Sequence, residues 1–366
     1  MLTVRQGLKK TTSRHLPLWG TIGLTAAGVL AGLQLFRKAP KTKFDLAGKV
    51  VLITGSRGLG LALAREFGQH GSYLALCARN ADELQKACES LTQEGIEAAP
   101  FPCDITNDSD IATLIHNVLQ RFGRIDILIN NAGEIQVGPL ESFEYSDFRN
   151  AMDLMFWAPV KLTFAVLPQM KKQGGGHIVN ITSIGGRVSV PHLLPYSCAK
   201  FALVGFSTGL NTELRAAGVR VLTIVPGLMR TGSYLKAKFK GDAKREFAWF
   251  GLFGNLPGFS VAANYAAHCV RRAVEDGRHV CTISLPAKIL VACEALLPNT
   301  TRTMLAAANR FLLPEGGESK NAVGGHSLDP MFGWSFHMFT SLGRRAARTL
   351  NEELEPAPDV LRQGAQ

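Results

Sequence analysis

The chain has 366 residues, 46% hydrophobic and 19% charged, with 40 basic and 29 acidic side chains and a formal net charge of +11. That length and apolar content exclude a disulfide-stapled miniprotein and a globally disordered chain, and no repeat period of about 20 to 50 residues points to a solenoid or propeller. The charge is uneven: residues 1–49 hold nine Lys/Arg and one acidic residue, and the other 317 hold 31 basic and 28 acidic, so the body is near neutral and shows no nucleic-acid footprint.

The first element in chain order is an uncharged run of 21 residues, Leu16–Phe36. As a helix it spans roughly 30 Å, the hydrocarbon thickness of a bilayer. Arg5, Lys9, Lys10 and Arg14 precede it, Arg37, Lys38, Lys41 and Lys43 follow it, and Trp19 sits near one end. The run is long for a signal peptide and no A-x-A site follows it, so it reads as a retained single-pass anchor on a lipid bilayer. Residues 1–43 are taken as this anchor and its basic flanks.

From Lys49 short β-rich runs alternate with longer amphipathic stretches. The strand candidates are 49–54, 72–77, 96–101, 125–130, 177–182, 219–225 and 279–284, and helices are expected over 59–70, 81–94, 108–122, 144–172 and 196–217. This alternation predicts an α/β fold, a parallel sheet with helices on both faces, with its ligand at the carboxyl ends of the strands. The first strand runs into Thr54-Gly55-Ser56-Arg57-Gly58-Leu59-Gly60 and then a helical pattern. Glycines there allow a tight turn whose backbone N–H groups can cradle a pyrophosphate at a helix N-terminus. At the end of the second strand stands Ala78-Arg79 rather than an acid that would hold a ribose 2′-hydroxyl. Arg79 and Arg57 can instead pair with a 2′-phosphate, which favours NADP(H) over NAD.

Tyr196 and Lys200 are four residues apart and share one helix face. A nearby ammonium favours the phenolate, so the pair is expected to draw Tyr196 below its ordinary value of about 10. Ser183, at the end of a strand, can hydrogen-bond a carbonyl oxygen. At Asn130-Asn131-Ala132-Gly133, Tyr196-Ser197-Cys198-Ala199-Lys200 and Pro226-Gly227 the sequence resembles the classical short-chain dehydrogenase/reductase family, over about residues 45–285.

The resemblance implies a doubly wound Rossmann domain of seven parallel strands, here over 44–285, with a bound nicotinamide cofactor. It implies that Ser183, Tyr196 and Lys200 are catalytic and that Asp104 holds the adenine. Asn131, Ala132 and Gly133 would line the cofactor wall, and Pro226, Gly227 and Thr231 would meet the nicotinamide end. It also implies a homodimer or homotetramer built through the helices near 108–122 and 144–172. Two departures stand out: the glycine turn is one residue shorter than the family's, and Met155 occupies the place of the family's usual catalytic Asn. A thioether cannot donate a hydrogen bond, so the proton relay must be built otherwise, or catalysis is slow or lost.

Residues 227–259 mix Lys236, Lys238, Lys240, Lys244 and Arg245 with Phe239, Phe247, Trp249, Phe250, Leu252 and Phe253. They read either as a lid packed into the core or as a face resting on an anionic bilayer. Residues 286–313 form an apolar helical extension, whose apolar stretch Leu285–Leu297 is too short to span a membrane, and 314–366 a partly disordered tail. Seven cysteines, odd in number and without C-x-x-C spacing, argue for reduced thiols and against a metal site. With NADP(H) they place the body on the cytosolic side.

The sequence thus predicts a membrane-anchored, NADP(H)-dependent enzyme interconverting a carbonyl and an alcohol on a hydrophobic lipid, retinoid or steroid-like substrate. An NAD-dependent alcohol dehydrogenase and a non-catalytic NADPH-binding scaffold at the membrane remain as alternatives.

Overall fold

The computed structural model describes residues 43–315 and 317–352. The predicted anchor, Leu16–Phe36, lies outside them. A seven-stranded parallel sheet carries the fold: β1 (Val50–Thr54), β2 (Tyr73–Ala78), β3 (Ala98–Pro102), β4 (Ile127–Asn130), β5 (Gly176–Ile181), β6 (Val219–Pro226) and β7 (Val280–Ile283). The spatial order is β3-β2-β1-β4-β5-β6-β7, the doubly wound arrangement expected. The order reverses between β1 and β4, which opens a crevice at their carboxyl ends.

Helices cover both faces. On one lie α1 (Leu59–Gly68), α2 (Ala81–Gln93) and α7 (Ala263–Glu275), packed on Val51, Ile53, Leu74 and Ile129. On the other lie α3 (Asp108–Phe122), α4 (Tyr145–Lys172) and α5 (Leu194–Leu214), packed on Leu52, Ala75, Leu128 and Ile178. Strands whose successive side chains face opposite layers need apolar residues at every position, which is why β1 reads VVLIT without alternation. Each such buried Leu or Ile stabilises the fold by roughly 1.5–3 kcal/mol. A buried polar chain ties the second half of the sheet together. Asn130 Nδ2 donates to Asn180 Oδ1 at 2.8 Å, Asn180 Nδ2 donates to Ser207 Oγ at 3.1 Å, and Ser207 Oγ lies 2.7 Å from Thr223 Oγ1.

Among the described residues one helix, α4, is long and apolar enough to cross a membrane. It is a layer of this fold: Ala158, Leu162, Val166 and Met170 are wholly buried against the sheet. A π-helical turn interrupts it over Asp153–Trp157, where the Ala158 N–H reaches the Asp153 carbonyl.

Beyond the sheet the chain forms α6 (Ala243–Asn255), α8 (Leu285–Leu296), α9 (Pro298–Leu312), α10 (Trp334–Phe339) and α11 (Ser341–Thr349). The tail expected to be partly disordered is structured over 323–349. Val323–Gly324 pairs with Lys238–Phe239, and Leu328, Phe336 and Ala347 are buried with Phe239, Phe247 and Phe250 in a third core. A Gly- and charge-rich composition masked the few large apolar anchors that order this segment.

The same core decides between the two readings of the lid. Phe239, Phe247 and Phe250 are buried in it, Phe253 stays partly exposed, Lys244 lies over the Phe332 ring, and three lysines pair with acids: Lys236 with Glu83, Lys238 with Glu134, and the buried Lys240 with Asp147 at 2.6 Å. Most of the lid is therefore packed on the body, and α8 and α9 with the residue between them carry a run of exposed apolar side chains, where Leu285, Ile289, Leu296, Leu297, Met304, Phe311 and Leu312 are all more than half exposed.

Candidate active site

β1 delivers Thr54 to the crevice. Its Oγ1 accepts the N–H groups of Asn131 and Ala132 at 2.9 and 3.0 Å, and Asn131 Nδ2 donates back to the Thr54 carbonyl at 2.9 Å. The ends of β1 and β4 are thereby stapled, which sets the distance between the glycine turn and the Asn131-Ala132-Gly133 wall. Gly55 has φ 93 and Gly58 φ 54, left-handed conformations that strain any side chain. A Cβ on Gly60 would lie 2.2 Å from the Gly55 carbonyl oxygen, so only glycine lets α1 start on top of the turn. The turn, though short, still feeds directly into a helix N-terminus.

A polar cleft of about 400 Å³ brings together Gly55, Ser56, Arg57, Leu59, Arg79, Asn131, Ala132, Gly133, Tyr196, Lys200 and Thr231. Gly58 and Gly60 shape its floor without lining it. Arg79 is exposed at the end of β2, and Arg57 is held by Glu83 through Nη1–Oε2 at 2.7 Å. Asp104 accepts the Thr106 N–H at 3.0 Å and its hydroxyl at 2.7 Å. Burial works to raise this carboxyl, but the two Thr106 hydrogen bonds and Arg79 outweigh it and hold it below its ordinary value.

A second, apolar cavity of about 510 Å³ is lined by Ser183, Pro226, Gly227, Leu193, Tyr234, Trp249, Phe250, Phe253, Phe259, Leu290, Leu305 and Leu312. Tyr196 and Thr231 line both cavities. Tyr196 stands one turn from Lys200, whose Nζ lies 5.7 Å from the ring centroid and donates to the Ile181 carbonyl at 2.9 Å. Ser183 Oγ accepts the Gly185 N–H at 3.0 Å and so caps a short 3-10 turn that presents it beside Tyr196.

The electrostatics differ from the expectation of a phenol drawn down by its neighbour. Burial raises Tyr196 above its ordinary value, and the Ser183 hydrogen bond offsets only part of this. Burial also lowers Lys200, to about 8. Desolvation, which penalises both charged forms, prevails over the attraction between the ammonium and the phenol. Met155 is buried at the π turn, and its Sδ approaches to 3.3 Å from where a Cβ on Gly133 would sit, a point 3.8 Å from Lys200 Nζ.

Several residues of these walls escaped the sequence reading. Glu83 and Glu352 line the polar cleft. Behind the apolar wall, His192, at φ 62, and the wholly buried Glu246 also went unread: His192 and the wall residue Trp249 both bind Glu246, at 2.7 and 2.6 Å, and so pin the lid to the loop before α5. Their separations in sequence, 54 residues for His192–Glu246, carry no local signal. Glu83, in the first turn of the helix that follows β2, was the one with a positional cue. Among the described residues no three His, Cys, Asp or Glu side chains gather as a metal site.

A Rossmann sheet with a glycine turn, an Asn-Ala-Gly wall and a Tyr-Lys helix defines a dinucleotide-dependent oxidoreductase of the short-chain type. The family model described as short chain dehydrogenase matches residues 49–239, more than half of the chain, and the chain belongs to that family as a classical member. It is a dehydrogenase or reductase of a family that uses nicotinamide cofactors. Over 233 residues it is 35% identical to dehydrogenase/reductase SDR family member 7B of Danio rerio, covering 62% of this chain and 73% of that one. It is 34% identical over 220 residues to a fatty acyl-CoA reductase of Mycobacterium tuberculosis, covering 58% of this chain and 75% of that one. Among solved structures, L-sorbose reductase from Gluconobacter frateurii, complexed with NADPH and L-sorbose, matches with a TM-score of 0.59 at 26% identity over 66% of this chain and 97% of that one.

Proposed function

We propose that the protein is an NADP(H)-dependent oxidoreductase that interconverts a carbonyl and an alcohol on a hydrophobic substrate, with Tyr196 as the proton-transferring group. The observation that carries this reading is the position of Tyr196 at the meeting of the two cavities, with Lys200 on the polar side and Ser183 on the apolar side. The polar cleft fits a dinucleotide: the glycine turn leaves no room for a Cβ at Gly60 and sits at the N-terminus of α1, where an anion is favoured.

In this reading Gly55, Ser56, Arg57, Gly58, Leu59 and Gly60 hold the pyrophosphate. Asp104 holds the adenine end, Asn131, Ala132 and Gly133 the wall, and Pro226, Gly227 and Thr231 the nicotinamide end. Arg79 and Arg57 take the 2′-phosphate; Arg57 is already oriented by Glu83. The bound cofactor supplies the hydride. Burial keeps Tyr196 a neutral phenol through neutral pH, the form that gives a proton to a carbonyl oxygen. Ser183 holds that oxygen, and the phenolate left behind is stabilised by the Ser183 hydroxyl and the Lys200 ammonium. In the oxidative direction the same proton returns to the phenolate.

The apolar cavity supports a lipid-like substrate, as does similarity to a protein named a fatty acyl-CoA reductase. α8 and α9 wall this cavity with Leu290, Leu305 and Leu312 and turn other apolar residues to solvent, which suits a bilayer-facing entrance. With Leu16–Phe36 as a single-pass anchor, the body lies on the cytosolic face. Exposed Trp157 and Phe164 on α4 and Phe201 on α5 support pairing of two copies through these helices.

The test is full-length protein in detergent with NADPH and a chain-length series of aldehydes and ketones, read by loss of NADPH absorbance. Turnover that rises with chain length and vanishes in Tyr196→Phe is expected. Tighter binding of NADH than NADPH overturns the cofactor assignment. NADPH binding without turnover on any carbonyl supports the scaffold reading, to which the thioether beside Lys200 points.

A further inference from the structure

The segment after α11 lies in the polar cleft. α11 ends at Thr349, and Asn351 adopts a left-handed conformation, φ 57, that returns the Glu352 N–H to the Ala347 carbonyl at 3.0 Å. A helix end closed in this way is a built turn. Its neighbours hold it from three sides. Leu350 is buried in the core beside α1, Arg65 donates to the Thr349 carbonyl at 2.7 Å, and Asn351 Nδ2 donates to the Glu83 carbonyl at 3.1 Å.

What this turn touches is the glycine loop itself. The Gly58 N–H donates to the Leu350 carbonyl at 2.8 Å. Glu352 Oε1 lies 2.5 Å from where a Cβ on Gly58 would sit, and Thr231 Cβ lies 3.6 Å from the same point. The carboxylate therefore occupies the space between the N-terminus of α1 and Thr231, and it is only 7% exposed. A helix N-terminus attracts an anion, and here the chain's own carboxylate takes that place.

We propose that residues 349–352 form an autoinhibitory strap over the pyrophosphate position, which the dinucleotide must displace to bind; the proposal rests on the dinucleotide reading above. Gly58 cannot donate to a phosphate oxygen while it donates to Leu350, and Glu352 repels a second anion at the same point. The charged groups facing Glu352 are Arg57 of the glycine loop, Lys236 of the lid and Glu83 of α2. Burial, assisted by Glu83 and opposed by Arg57 and Lys236, pushes its carboxyl up to about 7. At that value the docked group is partly protonated at neutral pH, so its charge is the part of the strap that burial opposes.

The test is calorimetric titration of the full chain with NADPH, beside Glu352→Ala and a chain ending at Thr349, with amide hydrogen exchange at 350–352. Glu352→Ala removes the carboxylate's repulsion but leaves the Gly58–Leu350 hydrogen bond, so it should tighten binding by part of the gain, whereas the chain ending at Thr349 removes both. If the strap is docked nine-tenths of the time, removing it tightens binding about tenfold. Saturating NADPH should also speed exchange at 350–352. Unchanged or weaker binding by Glu352→Ala, or amides more protected with NADPH, overturns the proposal and makes the segment a bystander or a clamp on bound cofactor. Failure of all three forms to bind any nicotinamide dinucleotide overturns the cofactor reading itself, and the strap with it.

Discussion

Lys200→Met should change the pH dependence of stability in a direction set by burial. Lys200 is 4% exposed, and its ammonium falls from an ordinary 10.5 to about 8 because the folded protein desolvates it. At about 1.4 kcal/mol per unit, the fold selects against the ammonium by roughly 3 kcal/mol. The folded value is depressed, so between pH 8 and 10.5 the unfolded chain holds the proton and the folded chain does not. Stability from this group is therefore lowest below pH 8 and climbs through that window. The variant lacks the titration. At neutral pH it escapes the penalty but leaves the Ile181 carbonyl without its 2.9 Å donor, which costs about 1–3 kcal/mol, so the two proteins should be similar or the variant slightly more stable. Raising the pH should then favour the wild type by about 3 kcal/mol relative to the variant. The assay is urea unfolding of both full-length proteins in one detergent across the range, followed by near-ultraviolet circular dichroism. Other titrating groups are common to both and cancel in the difference. Profiles that stay parallel within about 1 kcal/mol would refute the claim that a desolvated ammonium lies beside Tyr196.

Three further outcomes are expected. Tyr196→Phe should lower kcat by about 10² to 10⁴ while leaving NADPH affinity within a few-fold, measured by single-turnover kinetics and calorimetry. Glu246→Ala should destabilise the protein by about 2–4 kcal/mol in urea and raise KM for long-chain substrates more than for short ones, because His192 and the cavity-lining Trp249 both lose their shared acceptor. Met155→Asn should change kcat less than about threefold, since Lys200 is already held by Ile181 without help from residue 155; a tenfold rise would show that the thioether impairs proton transfer.

Much of the catalytic body was legible because its signals are local. The apolar strands, the glycine turn and the Tyr196–Lys200 spacing each depend on neighbours within a few residues, and β1, β4, β5 and β6 appear within two residues of their expected ends. The lid was ambiguous for the opposite reason. A stretch with alternating Lys and Phe suits either a membrane face or a core, and only the partners Glu83, Glu134 and Asp147, contributed from other parts of the chain, neutralise three of its lysines where Phe239, Phe247 and Phe250 pack inward. The sign of the Tyr196 shift was likewise out of reach. The sequence shows an amine one turn away, but not that both groups lie buried, where desolvation outweighs their attraction.

By itself the sequence determined the strand–helix order, the glycine turn between β1 and α1, and the shared helix face of Tyr196 and Lys200, because chain-local geometry suffices for these. Tertiary structure alone decided that Glu352, 294 residues beyond Gly58, comes to rest on the glycine turn, and that a tail poor in apolar residues folds onto the lid. Contacts between segments so distant depend on how the whole core packs, and no spacing along the chain records them.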